Sequence, residues 1–335
     1  MSEHPRVAVV GASGAVGRNI LRLLRERSFP ASEIVALASA RSAGNEVEGH
    51  VVEDIGTADL SGFDLALFSA GSGVSQEWGP KFVAAGAVVV DNSSYWRPFD
   101  HVPLVVAEVN PDALASHQGI VANPNCSTMQ AMVVLGPILE RFGIERLVFS
   151  TYQAVSGTGV KAVAELEDQS RALLGGDQPQ PASVYPHRIA FNVIPQVETF
   201  KDGDDYTTEE RKMIAESRKI LGRPDLRVTA TCARVPVMNG HSESVNLQTV
   251  EQASPDDIRA LLANAPGVTV VDDPGKGVYP MAIDGSGRDD VLVGRIRVDE
   301  SAERSLNLWI VGDNLRKGAA TNAVQLAELL VERGL

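Results

Sequence analysis

The residues best suited to covalent chemistry stand in Asn123-Pro124-Asn125-Cys126-Ser127-Thr128. Pro124 and Asn125 end the preceding strand. The apolar Met129, Met132, Val133 and Leu135 then predict a long helix, roughly Ser127 to Phe142, with Cys126 at its start. A helix N-terminus favours the thiolate over the thiol, and its N–H groups can hold an oxyanion on an attacked carbonyl. The other cysteine, Cys232, sits mid-strand in Val228-Thr229-Ala230-Thr231-Cys232-Ala233 and reads as a small buried apolar residue. A nucleophilic thiolate needs a proton partner. His241 follows Gly240 between two strands and is the candidate. His4 is terminal, and His50, His101, His117 and His187 lie in polar loops or turns.

A second motif is made for a phosphate-bearing ligand. Val7-Ala8-Val9-Val10-Gly11-Ala12-Ser13-Gly14-Ala15-Val16-Gly17 runs from a strand through a glycine turn into a helix. Glycines there let the backbone approach a pyrophosphate, and the helix start offers N–H donors and positive potential. Gly11, Ser13, Gly14, Ala15 and Val16 are the candidate contacts. The next strand, Ile34 to Ala38, leads into Ser39-Ala40-Arg41-Ser42. An Asp or Glu at that place would hold a ribose 2′-hydroxyl, as NAD requires. Ser39, Arg41 and Ser42 suit a 2′-phosphate instead, so NADP is the expected cofactor.

These residues need a scaffold. The first third alternates strand (Arg6 to Val10, Ile34 to Ala38, Leu65 to Ser69, Ala87 to Asp91, Leu104 to Val106) with helix (Ala15 to Arg27, Val74 to Ala85). That order predicts an α/β, Rossmann-like, doubly wound parallel sheet. Beyond Cys126 come longer β segments: Ile144 to Val155, Arg227 to Val237, Ser242 to Gln252, Val291 to Val298 and Ser305 to Val311. Helices at Val160 to Leu174, Thr208 to Leu221 and Pro255 to Ala263 are interspersed, which predicts an α+β domain with a mixed sheet. Gly175 to His187, rich in Pro, Gly and Gln, reads as an extended surface connection. The last helix, Ala319 to Arg333, is amphipathic and expected to pack on the first domain.

The bulk numbers exclude several classes. A net charge of −13 disfavours nucleic acid and anionic membranes as main partners. No apolar run reaches the ~20 residues of a membrane span, and the first residues lack a signal-peptide pattern. Two cysteines cannot build a disulfide framework, and no Cys/His spacing suggests a metal site. A cytoplasmic enzyme with reduced thiols is expected.

With these motifs in place, the chain resembles bacterial aspartate-semialdehyde dehydrogenase. The matching stretches are Gly11 to Gly17, Asp91-Asn92-Ser93-Ser94, Asn123 to Thr128, Gln153 to Gly159, Ile189 to Pro195, Arg234 to Val237, Gly240-His241-Ser242 and Asp313 to Ala320. They occur in the family's order and span nearly the whole chain. The resemblance implies NADPH-dependent reduction of L-aspartyl 4-phosphate to the semialdehyde, a step towards lysine, threonine and methionine. It implies Cys126 as nucleophile, His241 as acid/base and Gln153 as orienting residue. It further implies Arg234 for the substrate carboxylate, Glu209 for its amino group, and Arg97, Lys212 and Asn125 for phosphate. Ser156, Gly157 and Asn314 join the cofactor contacts. It divides the chain into an NADP-binding domain, 1–125 completed by 318–335, and a catalytic and dimerisation domain, 126–317, in a homodimer or homotetramer. Two rivals stand beside this reading: another thioester-forming reductase of similar architecture, and a non-catalytic NADP-binding sensor.

Overall fold

The structure, a computed structural model, describes residues 2–334. In chain order its elements are β1 (Arg6–Val10), α1 (Ala15–Glu26), β2 (Glu33–Ala38), β3 (Glu46–Val47), β4 (His50–Asp54), β5 (Leu65–Phe68), α2 (Ser72–Ala84), β6 (Val88–Asp91) and β7 (Ile120–Ala122). There follow α3 (Cys126–Phe142), β8 (Ile144–Gln153), α4 (Val160–Leu174), α5 (Thr208–Ile220), β9 (Arg227–Arg234) and β10 (His241–Thr249). The chain ends with α6 (Pro255–Leu262), β11 (Val268–Val270), α7 (Ala282–Gly285), β12 (Val291–Val298), β13 (Ser305–Gly312) and α8 (Asn322–Glu332). They form two compact units, Met1–Asn125 with Gly318–Leu335, and Cys126–Lys317.

The first unit holds a sheet in the order β3-β4-β2-β1-β5-β6-β7. Its neighbours are parallel except for the β3–β4 pair. Val7 to Val10 and Leu65 to Phe68 are buried without polar alternation. Such runs belong to strands covered on both faces. Ile20, Leu23 and Leu24 of α1 and Val324, Leu326 and Leu330 of α8 share one core cluster with Val7, Val9, Leu65 and Leu67. Each such side chain, fully buried, contributes roughly 1.5–3 kcal/mol.

The second unit holds a mixed sheet in the order β11-β12-β13-β10-β8-β9. β11–β12 and β8–β9 are parallel, and the other pairs antiparallel. α3 lies against β8, β10, β12 and β13, and α5 against β9. On β10 the residues His241, Glu243, Val245 and Leu247 are buried, while Ser244, Asn246 and Gln248 are half-buried. The odd-numbered side chains therefore share the face that α3 covers.

Three expectations need correction. Leu104 to Val106 is not a strand: Leu104 makes a single bridge to Ala122. The Asn110 side chain takes the Val106 N–H at 2.9 Å and donates to the Leu104 carbonyl at 2.9 Å, capturing groups a neighbouring strand would need. The outermost strand is β7, which the sequence reading omits. The last helix starts at Asn322, because Arg316–Thr321 is a wider π-type turn. The Gly175 to His187 connection is the surface segment expected, exposed or half-buried and outside any helix or strand from Asp177 on, and Glu165 of α4 tethers it by accepting the Ser183 and Val184 N–H groups at 2.7 and 2.8 Å.

Candidate active site

In the first unit the strand order reverses between β2 and β5 on either side of β1, where open α/β sheets bind ligands beyond their strand ends. The glycine loop sits there. Gly11 has φ +84°, and a Cβ on it would lie 2.7 Å from the Ser69 carbonyl oxygen. A Cβ on Gly17 would lie 2.2 Å from the Gly11 carbonyl oxygen, so α1 closes on the loop only without a side chain there. No side chain caps Gly14, and the first turn of α1 holds no acidic residue. The hydroxyls of Ser13 and Ser42 meet at 3.3 Å, joining the loop to the segment after β2, where Ser39 and Arg41 are exposed.

The turn that precedes the cysteine is fixed in the same unit. Asn123 accepts from Asn322 Nδ2 at 2.6 Å and donates to Asn92 Oδ1 at 2.6 Å. Arg97, 9 % exposed, donates from Nε to the Asn123 carbonyl at 2.9 Å and from Nη2 to the Asn92 carbonyl at 2.8 Å. Asn125 is buried too. Asp91 beneath them accepts from Ser75 and from Ser93, and burial pushes its carboxyl above the usual range.

The second unit gathers residues far apart in sequence by strand register. Gln153 pairs with Arg234, and Tyr152 pairs with Ser242, which sets Gln153 beside His241. Arg234, Gln153 and His241 therefore form one row across β9, β8 and β10. Gln153 donates to Glu209 Oε1 at 3.0 Å. Glu209 is 3 % exposed because α5 is pinned at its start. Thr207 and Glu210 make a capping box, and the second Glu210 oxygen accepts the Cys232 N–H at 2.9 Å. One turn along, Lys212 donates to Glu209 Oε2 at 3.2 Å and also to Glu198.

His241 is fully buried. Its Nδ1 accepts the Ala154 N–H at 3.0 Å, so a neutral ring carries its proton on Nε2. Burial, and secondarily the Arg234 guanidinium, hold its pKa well below 6.5. His241 Nε2 and Arg234 Nε are buried without a hydrogen-bond partner among the described residues. Arg234 is otherwise anchored by Nη1 on the Ala154 carbonyl at 2.6 Å, and its guanidinium lies 5.9 Å from the Tyr185 ring centre. A Cβ on Gly157 would fall 3.2 Å from His241 Nε2 and 3.3 Å from Arg234 Nη1. Asn314 donates to Ser156 at 2.9 Å and accepts the Gly240 N–H at 3.0 Å, tying the turns on either side of His241.

Cys126 is the first residue of α3, is partly exposed, and has no acidic residue in its helical turn. A sulfur at that place lies at the positive end of the helix dipole, which favours the thiolate form of a cysteine. Cys232 is fully buried, and burial raises its thiol far above the ordinary range. The first unit thus collects Gly11, Ser13, Gly14, Ala15, Val16 and Ser42 in one loop pair, and Arg97 at the Asn123 to Asn125 turn. The second collects Gln153, Glu209, Lys212, Arg234 and His241, with Ser156, Gly157 and Asn314 around the histidine. The sequence reading missed the Ala154 N–H and Tyr185. A backbone donor leaves no composition signal, and Tyr185 is hidden in a Pro- and Gln-rich stretch.

Comparison with known proteins supports one family throughout. The family model described as "Semialdehyde dehydrogenase, NAD binding domain" matches residues 6–117, and "Semialdehyde dehydrogenase, dimerisation domain" matches 135–317. The aspartate-semialdehyde dehydrogenase of Aquifex aeolicus is 51 % identical, covering 98 % of this chain and 99 % of that protein. That of Legionella pneumophila is 52 % identical, covering 98 % and 96 %. Among solved structures, aspartate semialdehyde dehydrogenase II of Vibrio cholerae, complexed with ASA, is 43 % identical with a TM-score of 0.96 and full coverage of both chains. The Candida albicans enzyme with NADP is 25 % identical, covers 98 % of each chain, and has a TM-score of 0.73. With identities near one half over almost every residue, this chain belongs to the aspartate-semialdehyde dehydrogenase family.

Proposed function

We infer that this chain reduces L-aspartyl 4-phosphate to L-aspartate 4-semialdehyde with NADPH, releasing phosphate, through a thioester on Cys126. The observation that carries this reading is the Arg234–Gln153–His241 row, two of whose strands, β8 and β10, lie against the helix that Cys126 opens. The first unit is the NADP-binding domain and the second the catalytic and dimerisation domain.

The row suits a short amino acid with an activated side-chain carboxyl. Arg234 presents a buried fork to the α-carboxylate. Glu209 takes the amino group, and Gln153, already bonded to Glu209, orients the acyl arm. Arg97, Lys212 and Asn125 hold the phosphate. The Cys126 thiolate attacks the acyl carbon, and a carbon–sulfur bond forms. The carbon–oxygen bond to phosphate breaks, and phosphate leaves with that electron pair. The α3 N–H groups and the His241 Nε2–H stabilise the oxyanion on the acyl carbon. Collapse of the reduced adduct returns the thiolate and frees the aldehyde.

Bound NADPH supplies the hydride that takes the thioester to the aldehyde level. The residues present fit it: the Gly11 and Gly17 positions admit no Cβ, and Ser39, Arg41 and Ser42 replace the carboxylate an NAD site would show. Gly11, Ser13, Gly14, Ala15 and Val16 would hold the pyrophosphate, and Ser156, Gly157 and Asn314 are the further cofactor contacts of this reading.

The partners are small molecules, in the cytoplasm, and the working form is a homodimer or homotetramer. Among the described residues no helix is long and apolar enough to cross a membrane. The family match to a dimerisation domain, and the exposed Tyr152 with its ring tilted against Trp309 at 5.3 Å between centroids, support an assembly through the second unit. The test follows nicotinamide absorbance with aspartate semialdehyde, phosphate and NADP. Wild type should turn over and Cys126→Ala should not, while the variant still binds NADP by fluorescence titration. Turnover by Cys126→Ala at near-wild-type rate overturns the covalent mechanism.

A further inference from the structure

A buried acid–amide contact lies behind the row and is used by none of the steps above. Glu243 is two residues from His241 on β10, so its side chain shares the helix-covered face. It is fully buried and accepts from Gln130 Nε2 at 2.8 Å. Gln130, also fully buried, sits four residues after Cys126 on α3, on the same helical face and about 6 Å along the axis. The same Nε2 donates to the His241 backbone carbonyl at 3.3 Å. A third strand is shaped around this amide. Gly312 on β13 is the register partner of His241, and a Cβ on it would lie 2.7 Å from Gln130 Oε1.

We propose that Gln130 and Glu243 are positioning residues that set Cys126 against His241, by tying the first turns of α3 to the start of β10. This rests on the reading of those two residues as nucleophile and acid. Burying an amide and a carboxyl costs free energy that an apolar pair would not. Glu243 Oε2 and Gln130 Oε1 have no hydrogen-bond partner among the described residues, so stability alone is a poor reason for the pair. The charged and titratable groups around Glu243 are Glu209 on α5, Cys232 on β9 and His241 on its own strand. From β8 and β13 its register partners are Thr151 and Ile310. No cation is among these, and burial, with Glu209 in addition, pushes the carboxyl pKa well above 4.5. Glutamine can therefore replace it and still accept from Gln130.

The experiment compares Gln130→Leu, Glu243→Leu, Glu243→Gln and Gly312→Ala in the full-length protein. It reads kcat, KM and the pH profile of Cys126 alkylation by iodoacetamide. Cys232 is too buried to interfere. The two leucine variants and Gly312→Ala should lower kcat on the order of 10- to 100-fold with KM little changed, since misplacement near 1 Å costs about that much. They should also shift the alkylation profile. Glu243→Gln should stay within about threefold of wild type on both readouts. Gly312→Ala alters neither polar partner, so it remains informative if a leucine variant fails to fold. Folded Gln130→Leu and Gly312→Ala proteins with wild-type kcat and alkylation, whatever their melting temperature, overturn the proposal. An inactive wild type would count against the proposed reaction, and the alkylation readout would still judge the pair.

Discussion

Gly157→Ala is the sharpest probe of the row. The added methyl would stand 3.2 Å from His241 Cε1 and Nε2 and 3.3 Å from Arg234 Nη1. Carbon atoms rest at about 3.5–4.0 Å, so something must move by a few tenths of an ångström. The imidazole has little room, being fully buried and held by the Ala154 N–H at 3.0 Å. Arg234 is likewise held, by the Ala154 carbonyl at 2.6 Å. Overpacking of this kind costs about 1–3 kcal/mol of stability. It also pushes the Nε2 proton and the guanidinium off line and shields them from a substrate. A shift of a few tenths of an ångström should lower kcat/KM about 10- to 100-fold, or roughly 1.4–2.7 kcal/mol of transition-state binding. The assay is NADP reduction with aspartate semialdehyde and phosphate. Gly73→Ala in α2, with open space around it and no left-handed backbone, serves as the control and should keep wild-type kinetics. Wild-type kcat/KM and melting temperature for Gly157→Ala would refute the placement of His241 and Arg234.

Two further outcomes follow from charge. Arg41→Ala should raise KM for NADPH at least tenfold while leaving KM for NADH nearly unchanged, and equal losses with both cofactors would remove Arg41 from the 2′-phosphate site. His241 is neutral when folded and titrates near 6.5 when unfolded, so the unfolded chain binds the extra proton. Its contribution to stability is complete above 6.5 and falls with pH below that, by up to about 1.4 kcal/mol per unit, until the folded ring titrates. His241→Asn lacks this loss. Urea midpoints from pH 7.5 to 5.5 should fall more steeply for wild type, and parallel curves would contradict the buried neutral ring. Glu243 drifts the opposite way, losing stability as pH rises from 4.5, but equally in both proteins.

The fold was legible where burial is two-sided and failed where side chains intervene. Val7 to Val10 and Leu65 to Phe68 are unbroken apolar runs, and each is a central parallel strand. Leu104 to Val106 has the same composition but is not a strand, because Asn110 hydrogen-bonds its backbone from six and four residues away. β3 and β4 escaped notice for the opposite reason. Glu46, Glu53 and Asp54 give them a polar look that an edge of the sheet tolerates. Ile120–Ala122 is only three residues long, too short for any periodicity to show.

The site divides along a similar line. The place of the proposed nucleophile can be read from its neighbours, since Pro124 and Asn125 separate β7 from the helix that begins at Cys126. Arg234, Gln153 and His241 cannot be read as a row, because their adjacency is set by the register of three strands. The tautomer of His241 is set by a backbone N–H, and the shape beside it by the missing side chain of Gly157. Neither a main-chain donor nor an empty Cβ position has a residue type of its own. Glu243 is the instructive middle case. A carboxyl in phase with His241, Val245 and Leu247 breaks the period-two pattern of an apolar strand face, and that break is visible in the sequence. Such a break is tolerated only where something answers it, and here the answer is an amide one helical turn from Cys126.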